Sequence, residues 1–336
     1  MVDRHSSPTE TLWEMASLAT PMSIRVAATL RLADLIGDTG ATAAQLAEAT
    51  ATAPMALTRV LDHLVTIGVL EFVEDRYGLT ALAGPLRADH DTHLLDQLDI
   101  DSAIGRATLA FVDLLDVVKT STAAYPRRYG RDFWADLADR PALRQSFDAR
   151  MERRFDVRAP EMARRFDWSR FGTIVDVGGG VGTVLRAIVE EHPTVTGQVV
   201  DLEPTVTRAA EAFAAAGLDH RVTTVAGSFF DPLPRGAAAY LLCDILHDWD
   251  DEHARVILSR CAEAAGEHGR VLVIEMLREH DVNTMYDLCM LVFFGGGERT
   301  IEELNEMARP FGLTAVSKTP VAVDRTLVEF TATTTG

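Results

Sequence analysis

The chain has almost no lysine: only Lys119 and Lys318 stand among its 32 basic residues. Its 50 acidic residues outnumber the bases and leave a net charge of −18. A surface of that sign repels phosphates and argues against a nucleic-acid partner. Cysteine is scarce too. Cys243, Cys261 and Cys289 are odd in number and far apart, and they read as buried thiols of a reducing cytoplasm. No stretch approaches the roughly 18 unbroken apolar residues of a membrane span. The start, MVDRHSSPTE, lacks the apolar segment of a secretory signal, so the expected location is cytoplasmic. No repeat or low-complexity segment occurs. What remains is a 336-residue chain, 47% apolar, with material for two cores of ordinary size.

Residues 12–36 form an Ala-rich apolar helix pattern interrupted by Pro21. Thr42 is an N-cap candidate for a short helix, and Pro54 opens another that runs to about Ile67 and ends at Gly68. VLEFVEDRYGLT then reads as a hairpin turning at Glu74–Arg76. Helix, turn, helix and hairpin make a winged-helix pattern, and DNA binding is its first functional reading. Residues 1–100 hold six arginines, no lysine and fourteen acids, a balance of −8. A phosphate-gripping surface is basic, so the alternative, a scaffold that pairs subunits, is favoured over a DNA-binding regulator. Residues 101–165 are helical throughout, with turn signals at Pro126, Gly130 and Pro141. After Trp168, short β-branched runs (TIVDV, GQVVDL, VTTVAG, AAYLLC, RVLVIE) alternate with Ala-rich helices, and two strands close the chain near 313–319 and 326–333. That alternation predicts a parallel sheet with helices on both faces.

The first of these strands runs into Asp176-Val-Gly-Gly-Gly-Val-Gly-Thr. The dinucleotide fingerprint fails in both registers, because Thr183 or Leu185 stands where its last glycine belongs, and no GK[ST] follows for a P-loop. The spacing that fits is acid-x-Gly-x-Gly-x-Gly, with Asp176, Gly178, Gly180 and Gly182, which resembles the S-adenosylmethionine loop of class I methyltransferases. Asp201 ends the next strand, where a carboxylate can accept from two ribose hydroxyls. Ser228 and Phe229 follow the third strand, where a polar group and an aromatic can bracket adenine; Phe229 and Phe230 would serve an ordinary core equally well.

In order, DVGGGVG, VVDLE, GSFFDPLP, LHDWDDE, RVLVIE and MYDLCMLVFFGGGERT resemble the small-molecule O-methyltransferases of plants and bacteria. The likeness spans nearly the whole chain, since RYGRDFWADLADRPALRQSFDARM is similar to the family's central helices. SAIGR, AYPRRYG and GSFFDPLP look closest to polyketide-tailoring members, especially the enediyne naphthoate O-methyltransferases. The resemblance implies an α/β Rossmann-like class I methyltransferase domain at 166–336, behind an N-terminal all-α/winged-helix dimerisation domain at 1–100. A helical linker at 101–165 contributes to the substrate pocket. It implies S-adenosyl-L-methionine as cofactor, a small hydroxylated aromatic acceptor and a homodimer; no membrane partner is expected, from the lack of a long apolar run. His247 matches the general base, and Glu275 and Glu298 match the acids beside it. Met151, Asp287 and Met290 match positions near the acceptor, while Trp249 joins the cofactor contacts. There are two departures. Ser228 replaces a common Asp, and Cys243 stands where plant members carry Lys.

LHDWDDEH packs two histidines and four acids into eight residues, which by composition alone looks like a metal site. The histidines are six apart and would not share a helix face, and DDE suits the start of a helix. No metal is expected, with His247 at a strand end and His253 exposed. Phe133, Trp134, Phe147, Met151, Phe293 and Phe294 offer an apolar lining for a flat ring, or core. Arg25 and Arg106 are candidates for a substrate carboxylate, or surface arginines. The expected activity is methyl transfer to a phenolic oxygen. N-methylation and a tailoring step without methyl transfer stay open on the same fold.

Overall fold

Thr42 and Pro54 each start a helix, as expected. Thr42 and Gln45 cap one another ahead of Ala43–Ala49, which satisfies two of the donors left open at a helix start. Pro54 occupies the first turn of Pro54–Thr66, where a missing N–H costs nothing. That helix buries Leu57, Leu61 and Leu64 on one face. The hairpin follows as β1 (Leu70–Val73) and β2 (Arg76–Leu79), antiparallel, with Val73 opposite Arg76. Glu74 and Asp75 both take positive φ, 49° and 62°, the conformation of a two-residue turn matched to strand twist. One expectation needs correcting. Pro21 does not interrupt the first helix; it lies in the opening turn of Ala19–Thr29, where no hydrogen bond is lost. The breaks fall before and after that helix, between Pro8–Ala16 and Leu32–Ile36.

The computed structural model describes residues 7–278 and 284–332. Position 333, expected in the last strand, and the outermost residues of both terminal segments lie outside them. Contacts divide the chain into two units. The first holds the chain up to Leu109 with Arg140–Phe147, and the second holds Ala110–Asp139 and the chain from Asp148 onward. The 101–165 stretch is therefore shared between the two. Pro126 also departs from its reading as a turn: it sits in the first turn of Ala124–Tyr129, and Gly130, at φ 76°, ends that helix. The core of the first unit gathers Ala28, Leu32, Ile36, Leu46, Leu61 and Leu64.

In the second unit, β3 (Thr173–Val177), β4 (Thr196–Asp201), β5 (Val222–Ala226), β6 (Ala239–Cys243), β7 (Arg270–Glu275), β8 (Leu313–Ala322) and β9 (Arg325–Ala332) form one sheet. Its order is β5-β4-β3-β6-β7-β9-β8. The first five strands are parallel, and β9 runs antiparallel to both β7 and β8. Side chains alternate between two cores: Ile174 joins one, Val175 and Val177 the other, as the two-residue period of a strand covered on both faces requires. None of the described helices is long and apolar enough to cross a membrane. Of the cysteines, Cys261 is buried as read, but Cys243 and Cys289 are only partly so. Cys243 is the last residue of β6, and Cys289 lies on Thr284–Phe294, a helix that buries only Val292 and Phe293. Leu64→Ala, which empties a fully buried position, is expected to destabilise the first unit by about 2–5 kcal/mol, read as a lower denaturant midpoint.

Candidate active site

The strand order locates the site. From β3 the chain steps outward through β4 to β5, then returns to β6 on the other side of β3. Connections diverge at the carboxyl ends of β3 and β6, and open α/β sheets bind ligands in the crevice this leaves. The glycine loop leaves β3 there and the His247 segment leaves β6. The two are in contact: a Cβ on Gly178 would lie 2.7 Å from Ile245 Cδ1 and 3.3 Å from the Phe229 ring.

The three spaced glycines all have positive φ, at 72°, 61° and 80°, which only glycine adopts freely. They do different work. A Cβ on Gly182 would meet Phe213 Cζ at 2.4 Å, so this glycine lets the following helix pack closely; Gly180 has nothing within 4 Å. The Gly180 N–H donates to Asp201 Oδ2 at 2.8 Å, and the Leu202 N–H to Oδ1 at 2.7 Å. Asp176 lies beneath the loop, almost wholly buried. Burial, with the charge of Asp201 adding to it, pushes its carboxyl up to about 7. A backbone cradle open at Gly180 beside a strand-end carboxylate suits a nucleoside with vicinal hydroxyls. Ser228 Oγ accepts from the Phe230 N–H at 3.2 Å, a local turn that uses the hydroxyl.

His247 sits in a single 3₁₀ turn, Leu246–Asp248, after β6. It is 5% exposed, beside Glu275 at 3% and Glu298 at 4%. Its Nδ1 lies 3.1 Å from Glu298 Oε1 and 3.1 Å from Glu275 Oε2, and its Nε2 lies 3.5 Å from Asp248 Oδ1. Two carboxylates on Nδ1 favour the proton there, leaving Nε2 as the basic nitrogen of the neutral ring. Burial alone would depress the imidazole, but Glu275, then Asp248 and Glu298, overcome it and hold the ring well above its usual 6.5. Burial raises Asp248 to about 7 despite His247. Burial would also raise Glu275, but the His247 charge and the Leu246 N–H win and bring it below its usual value. Glu275 Oε1 accepts the Ile245 and Leu246 N–H groups at 3.2 and 2.8 Å, so it shapes the turn that carries the histidine.

GGGERT supplies more than Glu298. A Cβ on Gly296 would fall 2.1 Å from the His247 carbonyl oxygen, and the Gly297 N–H donates to that oxygen at 2.9 Å. Arg299 gives Nη1 to the Leu246 carbonyl at 2.8 Å and Nη2 to the Trp249 carbonyl at 2.7 Å. Asp287 Oδ1 accepts the Glu298 N–H at 2.8 Å, and the Met290 carbonyl accepts from Gly295 at 3.1 Å. Sequence reasoning does not single out Gly296, Gly297 or Arg299, although they lie inside a motif it quotes. Spacing does not reveal that this loop presses on the histidine backbone.

The aromatic expectations converge within the second unit. Trp134 stacks on Trp249 (6.2 Å, 16°) and on Phe294 (5.4 Å, 14°), and Phe133 meets Phe294 edge-on at 5.0 Å. Trp249 also meets Phe229 and Phe230 at 5.7 and 4.8 Å, which links the glycine-loop side to the aromatic side. Phe293 is buried against Phe111. Met151 lies on Pro141–Arg165, one turn before Arg154. Phe147, Arg25 and Arg106 fall in the first unit, where Arg25 Nη1 donates to the Gln97 and Leu98 carbonyls at 3.3 and 3.4 Å.

LHDWDDEH divides in two. His253 is exposed and hydrogen-bonds Asp250, the N-cap of Asp251–Ala265. A different trio, Asp244, His247 and Glu275, could offer ligand atoms within 4.8 Å of one another. Asp244 is, however, paired with Arg154 and Arg325, cations that oppose a metal ion beside them.

Residues 111–314 match the O-methyltransferase domain family and residues 13–87 the O-methyltransferase dimerisation domain. The chain belongs to the O-methyltransferase family, on a class I methyltransferase fold. It is 45% identical to the 2,7-dihydroxy-5-methyl-1-naphthoate 7-O-methyltransferase of Streptomyces carzinostaticus, over 95% of this chain and 96% of that one. It is 41% identical to aclacinomycin 10-hydroxylase RdmB of Streptomyces purpurascens, over 96% and 90%. The crystal structure of the O-methyltransferase NcsB1 from neocarzinostatin biosynthesis, with S-adenosylmethionine and 2-hydroxy-5-methyl naphthoic acid, superposes with a TM-score of 0.91. It shares 44% identity and covers 96% of this chain and 98% of that one.

Gly182→Ala and Gly180→Ala each place a side chain at positive φ, a cost of roughly 1–2 kcal/mol, but only the first clashes with Phe213. Thermal melting should show Gly182→Ala as clearly the less stable.

Proposed function

We propose that the chain transfers a methyl group from S-adenosyl-L-methionine to a phenolic hydroxyl of a hydroxynaphthoate-like aromatic acid, a tailoring step in antibiotic biosynthesis. The observation that carries this reading is the buried imidazole between Glu275 and Glu298, on the segment that leaves β6 against the glycine loop. The naphthoate relatives support the acceptor class. When bound, the cofactor supplies a methyl group already activated on a sulfonium. Asp176, Gly178, Gly180, Gly182, Asp201, Ser228, Phe229 and Trp249 would hold it, with the Asp201 carboxylate accepting from ribose hydroxyls. Phe133, Trp134, Phe293 and Phe294, with Met151, Asp287 and Met290, would flank the aromatic acceptor.

His247 takes the hydroxyl proton at Nε2 while Nδ1 stays hydrogen-bonded to carboxylate. A phenol near ~10 and an ordinary histidine near ~6.5 are mismatched by roughly 5 kcal/mol for full transfer. Glu275 and Glu298 narrow that gap by stabilising the imidazolium. His247→Gln is expected to lower kcat by about 10²- to 10⁴-fold with cofactor affinity retained, as measured with a labelled methyl group and a hydroxynaphthoate. The folded-state imidazole titrates above 6.5, and the base must be neutral. The kcat/KM of the wild type should therefore rise with pH through a limb above 6.5. Glu275→Gln removes the strongest stabiliser of the imidazolium, and that limb should move down. An unmoved limb, or full activity in His247→Gln, overturns the base assignment.

The hydroxylase relative motivates a second reading, in which the same fold assists a tailoring step without methyl transfer. S-adenosylhomocysteine released in step with methylated product supports the first reading, and turnover without it supports the second. The chain also pairs with a second copy of itself. The first helix is apolar yet exposed, with Leu12, Trp13 and Met15 at 68%, 74% and 79%, within and beside the segment matched to the dimerisation domain. Sedimentation is expected to give twice the chain mass, and a monomer refutes the pairing.

A further inference from the structure

Asp244, the residue after β6, has a conformation and partners that proton transfer at His247 leaves unexplained. It takes φ 53°, in the left-handed region that Asp and Asn tolerate better than most side chains, and it is 8% exposed. Both edges of its carboxylate are held. Arg325 Nε donates to Oδ1 at 2.6 Å and Arg325 Nη2 to Oδ2 at 3.1 Å. Arg154 Nη2 approaches Oδ2 at 3.1 Å. Arg325 opens β9 and is itself 2% exposed, while Arg154 comes from Pro141–Arg165. Three elements far apart in sequence thus meet on one buried carboxylate. Such a network is weak evidence for stability, since apolar residues of the same volume can fold as well. Its position gives it a different use, because ligand atoms of Asp244, His247 and Glu275 lie within 4.8 Å of one another.

We infer that Asp244, clamped by Arg154 and Arg325, is a positioning residue that sets the electrostatic field at the His247 ring. His247 meets Asp248 from its own turn, Glu275 from β7 and Glu298 from the loop after Thr284–Phe294. Arg299 binds the Leu246 carbonyl beside it, and Asp287 holds the Glu298 backbone. Among the described residues, Asp244 is the acid of this set that carries arginine ion pairs. Its own charge favours the imidazolium, and its two arginines temper that effect. The balance between them tunes how readily the ring gives up its proton. The burial-driven rise of the Asp244 carboxyl, opposed first by Arg154, is consistent with a carboxylate that depends on those partners for its charge.

The inference rests on His247 titrating in this site, and the test separates it from the role of His247 as base. Asp244→Asn keeps the shape and the tolerance for positive φ but removes the negative charge. The His247 titration should fall by roughly one pH unit. Arg154→Met removes a positive charge, and the titration should rise. Opposite shifts are not what a merely structural role produces. Ring NMR of labelled histidine, with His247→Gln to assign the signal, reads the titration directly, and the acid limb of kcat/KM is recorded alongside. Asp244→Asn leaves two buried arginines with less compensation; if it fails to fold, Arg154→Met decides alone. A His247 titration that stays put, or moves the same way in both variants, overturns the inference. If the ring moves as expected while the kinetic limb does not, the inference stands and the base assignment fails.

Discussion

A buried imidazole between two buried carboxylates is the constraint on which the rest of the second unit depends. Removing any one charge from such a cluster leaves the others uncompensated in a medium that solvates them poorly. The three side chains therefore have to arrive together. β6 delivers His247, the end of β7 delivers Glu275, and the loop after Thr284–Phe294 delivers Glu298. Each is also fixed through its backbone or its second oxygen: Glu275 holds the turn amides, Asp287 holds the Glu298 amide, and Gly297 holds the His247 carbonyl. The cluster is thus anchored in the sheet and its loops, with little left to the freedom of long side chains.

The same sheet explains why the glycine loop and the histidine segment meet. Reversal of strand order beside β3 opens a crevice, and the two segments leaving β3 and β6 have nowhere else to go. The contact between Gly178 and Ile245 is the physical junction between the glycine loop and the histidine turn. Trp249 forms a second junction, with its ring edge-on to Phe229 and Phe230 and stacked on Trp134. A hydroxylase and a naphthoate O-methyltransferase, each more than 40% identical to this chain, match it over nearly its whole length. Fold alone therefore does not choose the chemistry.

Much of this is legible in the chain. Periodicity identifies the strands, and cap residues identify the helix starts at Thr42 and Pro54, because those signals are local. The glycine spacing points to its cofactor class, since backbone at positive φ tolerates little else. Pro21 and Pro126 read as breaks because a proline in the first turn of a helix has the same sequence signature as one that ends it; only the position of the helix start tells them apart.

What the sequence alone determined is the set of elements and the residues they carry: an acid-and-glycine loop, one histidine soon after a strand (in a 3₁₀ turn, where a strand end was expected), and two acids downstream. Only the tertiary structure decided which charges share one low-dielectric volume. Asp244 carries no signal in the sequence; β9 and a distant helix bring Arg325 and Arg154 onto it. The fold likewise lays the Gly296–Gly297 pair against the His247 carbonyl. Electrostatic coupling depends on distance and burial, and neither is encoded in spacing along the chain.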